Sequence, residues 1–346
     1  MTMAKPSIYT VAEHAGVSIA TVSRVLRGTA PVAPATRERV LAATEALRWR
    51  PSHVARGLAG KGHSAIGVVF PDLLGPYYAQ VVLGFEQHAV ADDRSVLILA
   101  THGRPNADEM VVDLAGRVDG LVVMDRTVSD EVVRGLDKAG TPIVLLARDG
   151  VGSIPVVRAE NIEAAKRLTS HLMDHGHTRL AFVGDPEGAP DVEQRWRGFL
   201  AAHEAAGVSP PEKAIRCGFL TDDGYACGSE LLDDDERPTA VVCANDELAL
   251  GLYRAARDLG LRIPADVAVT GWDDLATVSL ITPALTTVRQ PARELGARAG
   301  ALLSARIAGS DDLIPETLPT DLVLRHSCGC QTPPLQPPTL ARRAPR

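Results

Sequence analysis

The sequence predicts a small all-α helix-turn-helix headpiece followed by an α/β body built in two similar blocks. Three observations carry that expectation. Residues 9–26 (YTVAEHAGVSIATVSRVL) read as two short helices around a glycine turn. The first 62 residues are basic while the rest of the chain is acidic. Beyond Lys61, strand-like apolar runs alternate with amphipathic helices, the pattern of parallel βαβ units.

In the first helix, Thr10 and Glu13 have the Thr-x-x-Glu spacing of a capping box, and Val11, Ala12 and Ala15 make an apolar face. Gly16 ends it, because glycine takes the left-handed conformation without penalty. Ser18 is placed to N-cap a second helix with Val22, Val25 and Leu26 inward and Ile19, Ala20, Ser23 and Arg24 outward. In a helix-turn-helix this second helix enters the DNA major groove. Periodicity alone fits any small helical hairpin equally well. A third helix fits 34–49, with Pro34 at its first position and Val40, Leu41, Ala43, Thr44 and Leu47 on one side. Arg50-Pro51 stops it, since a residue before proline avoids the helical region. Residues 52–61 (SHVARGLAGK) follow as a short, weak helix that folds only against a partner.

Residues 1–62 carry nine basic against three acidic side chains, a net of +6, so the remainder carries −13 of the chain's −7. That asymmetry points to nucleic acid at one end, through phosphate neutralisation; a merely solvated basic surface is the alternative reading. The N-terminus lacks the apolar segment of a signal peptide, and no apolar run approaches membrane-spanning length, so a cytoplasmic protein is expected. Five cysteines, at 217, 227, 243, 328 and 330, suit a reducing compartment. Cys328-Gly329-Cys330 lacks a second Cys or His pair at zinc spacing and reads as a strand end. His175 and His177, two apart, read as caps of a helix C-terminus. No metal and no cofactor are expected.

In the body, apolar runs at 66–70, 96–100, 119–124, 142–147, 179–183, 239–243 and 266–271 read as strands. Helical patterns lie at 76–91, 129–139, 161–175, 191–206, 246–259 and 291–308, with a break between blocks near 158–161. Residues 331–346, with five prolines and little apolar content, read as a disordered tail.

Several segments together are specific. "TVAEHAGVSIATVSRVLRG", "TRERVLAATEALRWRPSHVARGLAGK", "IGVVFPD", "GRVDGLVV", "HLMDHGHTRLAFVG", "RWRGF", "TAVVCANDELALG", "VAVTGWDD" and "PALTTVRQP" resemble the lactose-repressor (LacI/GalR) family of bacterial transcription regulators, from about residue 8 to 328. The resemblance implies a headpiece over 1–51, a hinge helix and linker over 52–62, and a bilobal, periplasmic-binding-protein-like body over 63–330. Two Rossmann-like subdomains are implied, one at about 63–159 and 291–319, the other at about 160–290 and 320–330. It also implies a homodimer on a pseudo-palindromic double-stranded operator, controlled by a sugar or related metabolite bound between the subdomains.

Arg24 is the candidate base reader, because arginine pairs bidentately with guanine; Ile19 and Ala20 can touch thymine methyls. The resemblance implies phosphate contacts for Tyr9, Ser18, Thr21 and Ser23, and DNA contacts for Ser52, Ala55 and Leu58, the leucine acting as a minor-groove wedge. Arg37 and Arg39 face DNA or pair with Glu38 or Glu45. In open α/β sheets ligands bind beyond the carboxyl ends of the strands. That rule singles out Asp72, Tyr77, Tyr78, Arg195, Asn245, Asp246, Trp272, Asp273 and Asp274, a set suited to a small polyol, sugar or nucleobase. Asp246 and Asp274 read first as helix caps. The resemblance implies effector contacts for Arg195, Asn245, Asp273 and Gln290, and aligns Tyr77 and Tyr78 with effector-facing aromatics, of which one could be core.

Two departures from the family pattern count against a lactose-like effector. Strand 142–147 ends in Leu146-Ala147-Arg148 rather than an aspartate, and Gln290 is followed by Pro291-Ala292 rather than an aromatic. Arg148 either binds an anionic effector or lies on the surface. An enzyme is not expected: residues 57–62 fail the phosphate-loop pattern, and no G-x-S-x-G elbow occurs. The expected function is an effector-controlled transcriptional repressor; the alternative is a degenerate or solute-binding relative without DNA regulation.

Overall fold

A computed structural model describes residues 7–27, 31–47, 49, 65–310 and 313–330. The expected hinge helix, with Ser52, Ala55 and Leu58, and the expected disordered tail lie outside the described residues. The chain divides into two compact units, 1–64 and 65–346.

The first unit holds helices α1 (Ile8–Ala15), α2 (Ile19–Arg27) and α3 (Pro34–Ala46). Val11, Ala12, Ala15, Val22, Val25, Val40 and Ala43 form its core. Gly16, at φ 63°, ends α1 as expected, and its N–H bonds back to Ala12 and Glu13. The cap of α1 lies three residues earlier than the expected Thr10–Glu13 box. Ser7 is the N-cap, and Thr10 at the third helical position returns the bond to the Ser7 amide. Chain entry at Ile8 makes Ser7, not Thr10, the residue beside the orphan amides. Ser18 accepts from the Thr21 amide at 3.2 Å, capping α2. α3 ends at Ala46 rather than Trp49, and Leu41 is 46% exposed rather than inward, leaving Val40 and Ala43 as its buried contacts.

In the second unit, a six-stranded parallel sheet comprises β1 (Ala65–Phe70), β2 (Ser95–Ala100), β3 (Leu121–Met124), β4 (Ile143–Leu146), β5 (Val156–Ala159) and β10 (Glu316–Leu318). Its order is β10-β5-β4-β3-β1-β2. Helix α4 (Pro76–Ala91) packs on one face with α11 (Ala292–Ile307), against Ile66, Val68 and Phe70. Helices α5 (Ala107–Ala115) and α6 (Asp130–Lys138) cover the other face, over Val69, Leu121 and Val123.

A second parallel sheet runs β6 (Leu180–Val183), β7 (Ala240–Cys243) and β8 (Ala268–Thr270). Strands β9 (Thr287–Arg289) and β11 (Asp321–Val323) form a separate antiparallel pair beside it, linked by the isolated bridges Thr270–Thr286 and Asp273–Arg289. Helices α7 (Ile162–Asp174), α8 (Pro190–Ala206), α9 (Thr221–Leu232) and α10 (Asp246–Asp258) enclose it around Leu168, Phe182, Phe199, Val242 and Leu252. The chain crosses between the sheets three times: after β5, after β9 and after β10. Continuous apolar strands buried on both faces explain the burial of every residue in β1, β3, β4, β6 and β7. Among the described residues no helix is long and apolar enough to cross a membrane.

Two expectations for single residues are corrected here. Asp246 is not a cap: it is fully buried and accepts from the Leu275 amide at 2.8 Å and Thr287 Oγ1 at 2.7 Å, while Asn245 caps α10. Asp274 is not a cap either; it holds Arg289 at 2.8 Å and Arg325 at 2.6 Å.

Helices α4 and α11 touch backbone to backbone. A Cβ on Gly84 would collide with the carbonyl of Arg293, and one on Gly296 with that of Val81. Rigid helix backbones cannot yield as side-chain tips do. Gly296→Val is therefore expected to cost about 1–3 kcal/mol or more, read as a lowered urea midpoint; an unchanged midpoint contradicts the close crossing.

Candidate functional site

Two sites emerge, one in each unit. In the headpiece, the outer face of α2 presents Ile19, Ala20 and Arg24, all exposed, with Arg24 Nε resting 3.3 Å from the Ala20 carbonyl. Ser18 and Thr21 share a hydroxyl bond of 2.9 Å at the start of the helix, and Tyr9 is 69% exposed on α1. Ser23 is half-buried on α2, and Arg37 and Arg39 are exposed on α3. An apolar tip at the helix start, an arginine one turn later and hydroxyls beside them can meet thymine methyls, a guanine edge and phosphates respectively.

In the body, a cavity of about 330 Å³ opens between the carboxyl ends of the two sheets. It gathers Asp72, Tyr77, Tyr78, Arg195, Asn245, Asp273 and Gln290 around one space, although they come from six loops or helix starts. Arg195 is its anchor. The guanidinium is 5% exposed; Nε donates to Asn161 Oδ1 at 2.9 Å and Nη1 to the Ala244 carbonyl at 2.6 Å. Nη2 lies 3.8 Å from Asp191, and the group stacks 4.5 Å over the Trp272 ring.

In the same lobe, Asp273 follows β8 with φ 118°, a left-handed backbone that a non-glycine residue adopts only under local constraint. Its Oδ1 accepts from Gln290 Nε2 at 2.6 Å. Burial pushes the Asp273 carboxyl up to about 6, against the pull of Arg195 and the Gln290 bond. Burial also raises Asp191, again opposed by Arg195. Tyr77 and Tyr78 meet edge-to-face at 5.5 Å, and burial raises both phenols. Tyr77 Oη and Gln290 Oε1 are buried without a protein partner, which suits them to a polar ligand.

Other expected ligands are partly committed to the protein. Asn245 Oδ1 caps α10 through the Leu248 amide, and its Nδ2 donates to the Phe219 carbonyl, both at 2.9 Å. Asp72 Oδ1 accepts from the Leu74 amide at 2.9 Å. Arg148 takes neither of the roles left open for it. It is buried, bound to Asp130 at 2.7 Å and to the Val128 carbonyl at 2.9 Å, and so steadies α6.

Sequence reasoning missed Asn161, Asp191, Asp125, Arg126 and Phe219. Asn161 joins Arg195 to Asp191 and Gln194 through bonds of 2.9–3.3 Å. Arg126, after β3, sits 4.7 Å over the Phe219 ring and so spans the cleft. The strand-end rule could have flagged Asp125 and Arg126; nothing local pairs Asn161 with a residue 34 positions away. No His pair lies at zinc spacing from Cys328 and Cys330 in the sequence, but the fold brings His171 and His175 within 4.8 Å of them.

A family model described as "Bacterial regulatory proteins, lacI family" matches residues 7–52, and a "Periplasmic binding protein-like domain" model matches 169–328. Catabolite control protein A of Priestia megaterium is 35% identical over 303 residues, covering 86% of this chain and 91% of its own. The HTH-type transcriptional repressor PurR of Haemophilus influenzae is 31% identical over 329 residues, covering 93% and 98%. Among solved structures, the lac repressor dimer bound to operator and the anti-inducer ONPF aligns with a TM-score of 0.83 at 29% identity, covering 93% of this chain and 99% of that one. A CelR–cellobiose complex aligns with a TM-score of 0.72 at 30% identity, with the same coverage.

The raised Asp273 carboxyl has a consequence for stability. The folded chain holds this proton more tightly than the unfolded chain, whose carboxyl titrates near its ordinary value of 3.8. Stability from this group is therefore present below that value and is lost as pH rises through about 6. Asp273→Asn removes the titration, so the gain in melting temperature between pH 7.5 and pH 4.5 is expected to be smaller than in the parent. Identical pH profiles for the two proteins contradict the buried carboxyl.

Proposed function

Starting from the LacI family of bacterial regulatory proteins, to which this chain belongs, we propose that it is a homodimeric, cytoplasmic repressor whose operator affinity is set by a neutral, polyhydroxylated metabolite. The chain carries a DNA-binding headpiece and an effector-binding body, the division of labour of its transcription-regulator relatives. It is a binding protein in this reading, not an enzyme. A homodimer places one α2 in each of two successive major grooves, so the operator is a pseudo-palindrome. Leu83 and Val90, both exposed and two turns apart on α4, offer apolar surface for that dimer.

The observation that carries the choice of effector is the balance of charge in the cavity. Its wall bears six carboxylates (Asp72, Asp125, Asp191, Asp223, Glu247 and Asp273) against two arginines, Arg126 and Arg195. That surplus opposes an anionic ligand. A hydroxyl both donates to a carboxylate and accepts from a guanidinium or a protonated carboxyl, and the tyrosine rings supply the apolar wall. A sugar meets those terms, and relatives solved with cellobiose and with ribose hold ligands of this kind.

A thermal-shift screen with neutral pentoses, hexoses and disaccharides, beside their phosphorylated forms, tests this reading. One neutral sugar at about 100 times its Kd is expected to stabilise the protein by ~2.7 kcal/mol. Arg195→Lys and Gln290→Ala are expected to weaken that shift while leaving DNA binding intact. Shifts confined to phosphorylated ligands contradict a neutral effector.

Selection of duplexes from a random pool is expected to enrich a palindrome. Arg24→Ala then loses ~1–3 kcal/mol on the selected duplex and little on random DNA, measured by fluorescence anisotropy at fixed salt. Equal losses on both duplexes reduce Arg24 to a phosphate contact. No enrichment at low salt contradicts DNA regulation and favours the solute-binding alternative.

A further inference from the structure

One cluster of metal-ligating side chains takes no part in either site. Helix α7 carries His171, and His175 is its C-cap residue one turn later, with ring centroids 4.8 Å apart. The turn Cys328-Gly329-Cys330 folds back against the end of that helix. Cys328 Sγ lies 3.4 Å from His171 Nε2, and Cys330 Sγ lies 3.4 Å from both His171 Nε2 and His175 Nε2. All four donor atoms fall within 4.8 Å of one another. Cys328 is fully buried, His171 and Cys330 are half-buried, and His175 is exposed at the rim.

We propose that His171, His175, Cys328 and Cys330 form a tetrahedral site for a zinc-class divalent cation, which fastens the C-terminal segment to α7. Zinc binds thiolate at about 2.3 Å and imidazole at about 2.0–2.1 Å, so a tetrahedron of such ligands has N–S edges of roughly 3.5 Å. The three N–S separations already match that edge. Four protein donors close the coordination shell, which makes the ion structural rather than catalytic. The two soft thiolates and two imidazoles select zinc-class ions over magnesium or calcium.

Local chemistry supports the set. Gly329 has φ 96°, a conformation that other residues rarely adopt, and it lets cysteines two apart turn toward one helix. Thr286 Oγ1 donates to Cys328 Sγ at 3.0 Å, a bond that supports a thiolate ligand from outside the coordination shell. A cation at this place also faces the C-terminal end of α7, where the helix dipole favours positive charge. On binding, each thiol releases its proton to solvent and its sulfur lone pair forms the metal bond, so affinity rises with pH. α7 runs back from the carboxyl edge of the sheet to the start of β6, so the cluster lies at the end of this lobe opposite the effector cavity.

Cobalt(II) is the probe. The full-length protein is reduced, stripped with a chelator and titrated with Co²⁺. One cobalt per chain is expected, with thiolate-to-cobalt charge transfer and the strong visible bands of tetrahedral cobalt. One equivalent of Zn²⁺ should displace it and raise the melting temperature. Cys330→Ser and His175→Gln, at the more accessible ligands, should keep the far-ultraviolet circular dichroism and lose at least about tenfold in metal affinity. Cys217→Ser should bind as the parent does. The proposal is overturned if the parent shows no thiolate–cobalt band, or if the band survives unweakened in both ligand variants. It is also overturned if thiol counting finds Cys328 and Cys330 joined as a disulfide under the same reducing conditions.

Discussion

A buried cation organises the effector cleft. Arg195 has five N–H donors in a rigid fork, and burial obliges the protein to meet them. Asn161 Oδ1 comes from the first crossing between lobes, the Ala244 carbonyl from the end of β7, and the Trp272 face from the end of β8. Satisfying one guanidinium thus brings together chain segments that would otherwise end independently. Breaking any one partner leaves a charge desolvated and short of bonds. The positions of Asp191, Asp273 and Gln290 around the cavity follow from that knot.

Burial also raises the Asp191 and Asp273 carboxyls of the cleft, and Asp273 sits on a constrained backbone. Asp273 is held at positive φ, with its amide bound to the Val288 carbonyl at 2.8 Å, while Asp274 beside it is pinned by two arginines. Backbone strain of this kind typically costs about 1–3 kcal/mol and persists only where neighbours enforce it. Here it turns a carboxyl toward Gln290 instead of letting β8 run on. A carboxylate surplus in a partly desolvated space leaves hydroxyl groups as the favoured guests, since they donate to oxygen without adding charge.

Much of this was legible locally. The apolar runs located β1 to β4 and β6 to β8 but missed β5, and the pattern over 76–91 matches α4 to the residue. Strand ends placed six residues that line one cavity, because the rule that ligands sit beyond carboxyl ends depends only on strand direction, while Gln290 came from the family resemblance. What stayed hidden depends on distant partners. Asp246 looked like a cap because it starts a helix after a strand, yet its buried carboxylate ties down Leu275 and Thr287, and its neighbour Asn245 caps instead. Helix α9, with Gly224 and Gly228 inside it, has poor intrinsic propensity; those glycines exist to let it press on α10. His171 and Cys328 are 157 positions apart, so neither announces the other.

The energetics of switching follow from where the cavity lies. Asp72 and Tyr77 line the cavity from one lobe, Arg195 and Asp273 from the other, and Arg126 over Phe219 spans the gap. A ligand that touches both sides gains its full set of bonds only when the lobes are closed, and only that difference can bias the conformation. Turning a 1:99 population into 99:1 takes about 5.5 kcal/mol of differential affinity. Hydrogen bonds to charged groups contribute about 1.5–3 kcal/mol each, so two to four made only on closure suffice. Asp72, Asp125 and Arg126, which line the cavity from the lobe facing Arg195 and Asp273, offer that number. A ligand bound by the Tyr77 and Tyr78 rings alone would occupy the cavity and move nothing.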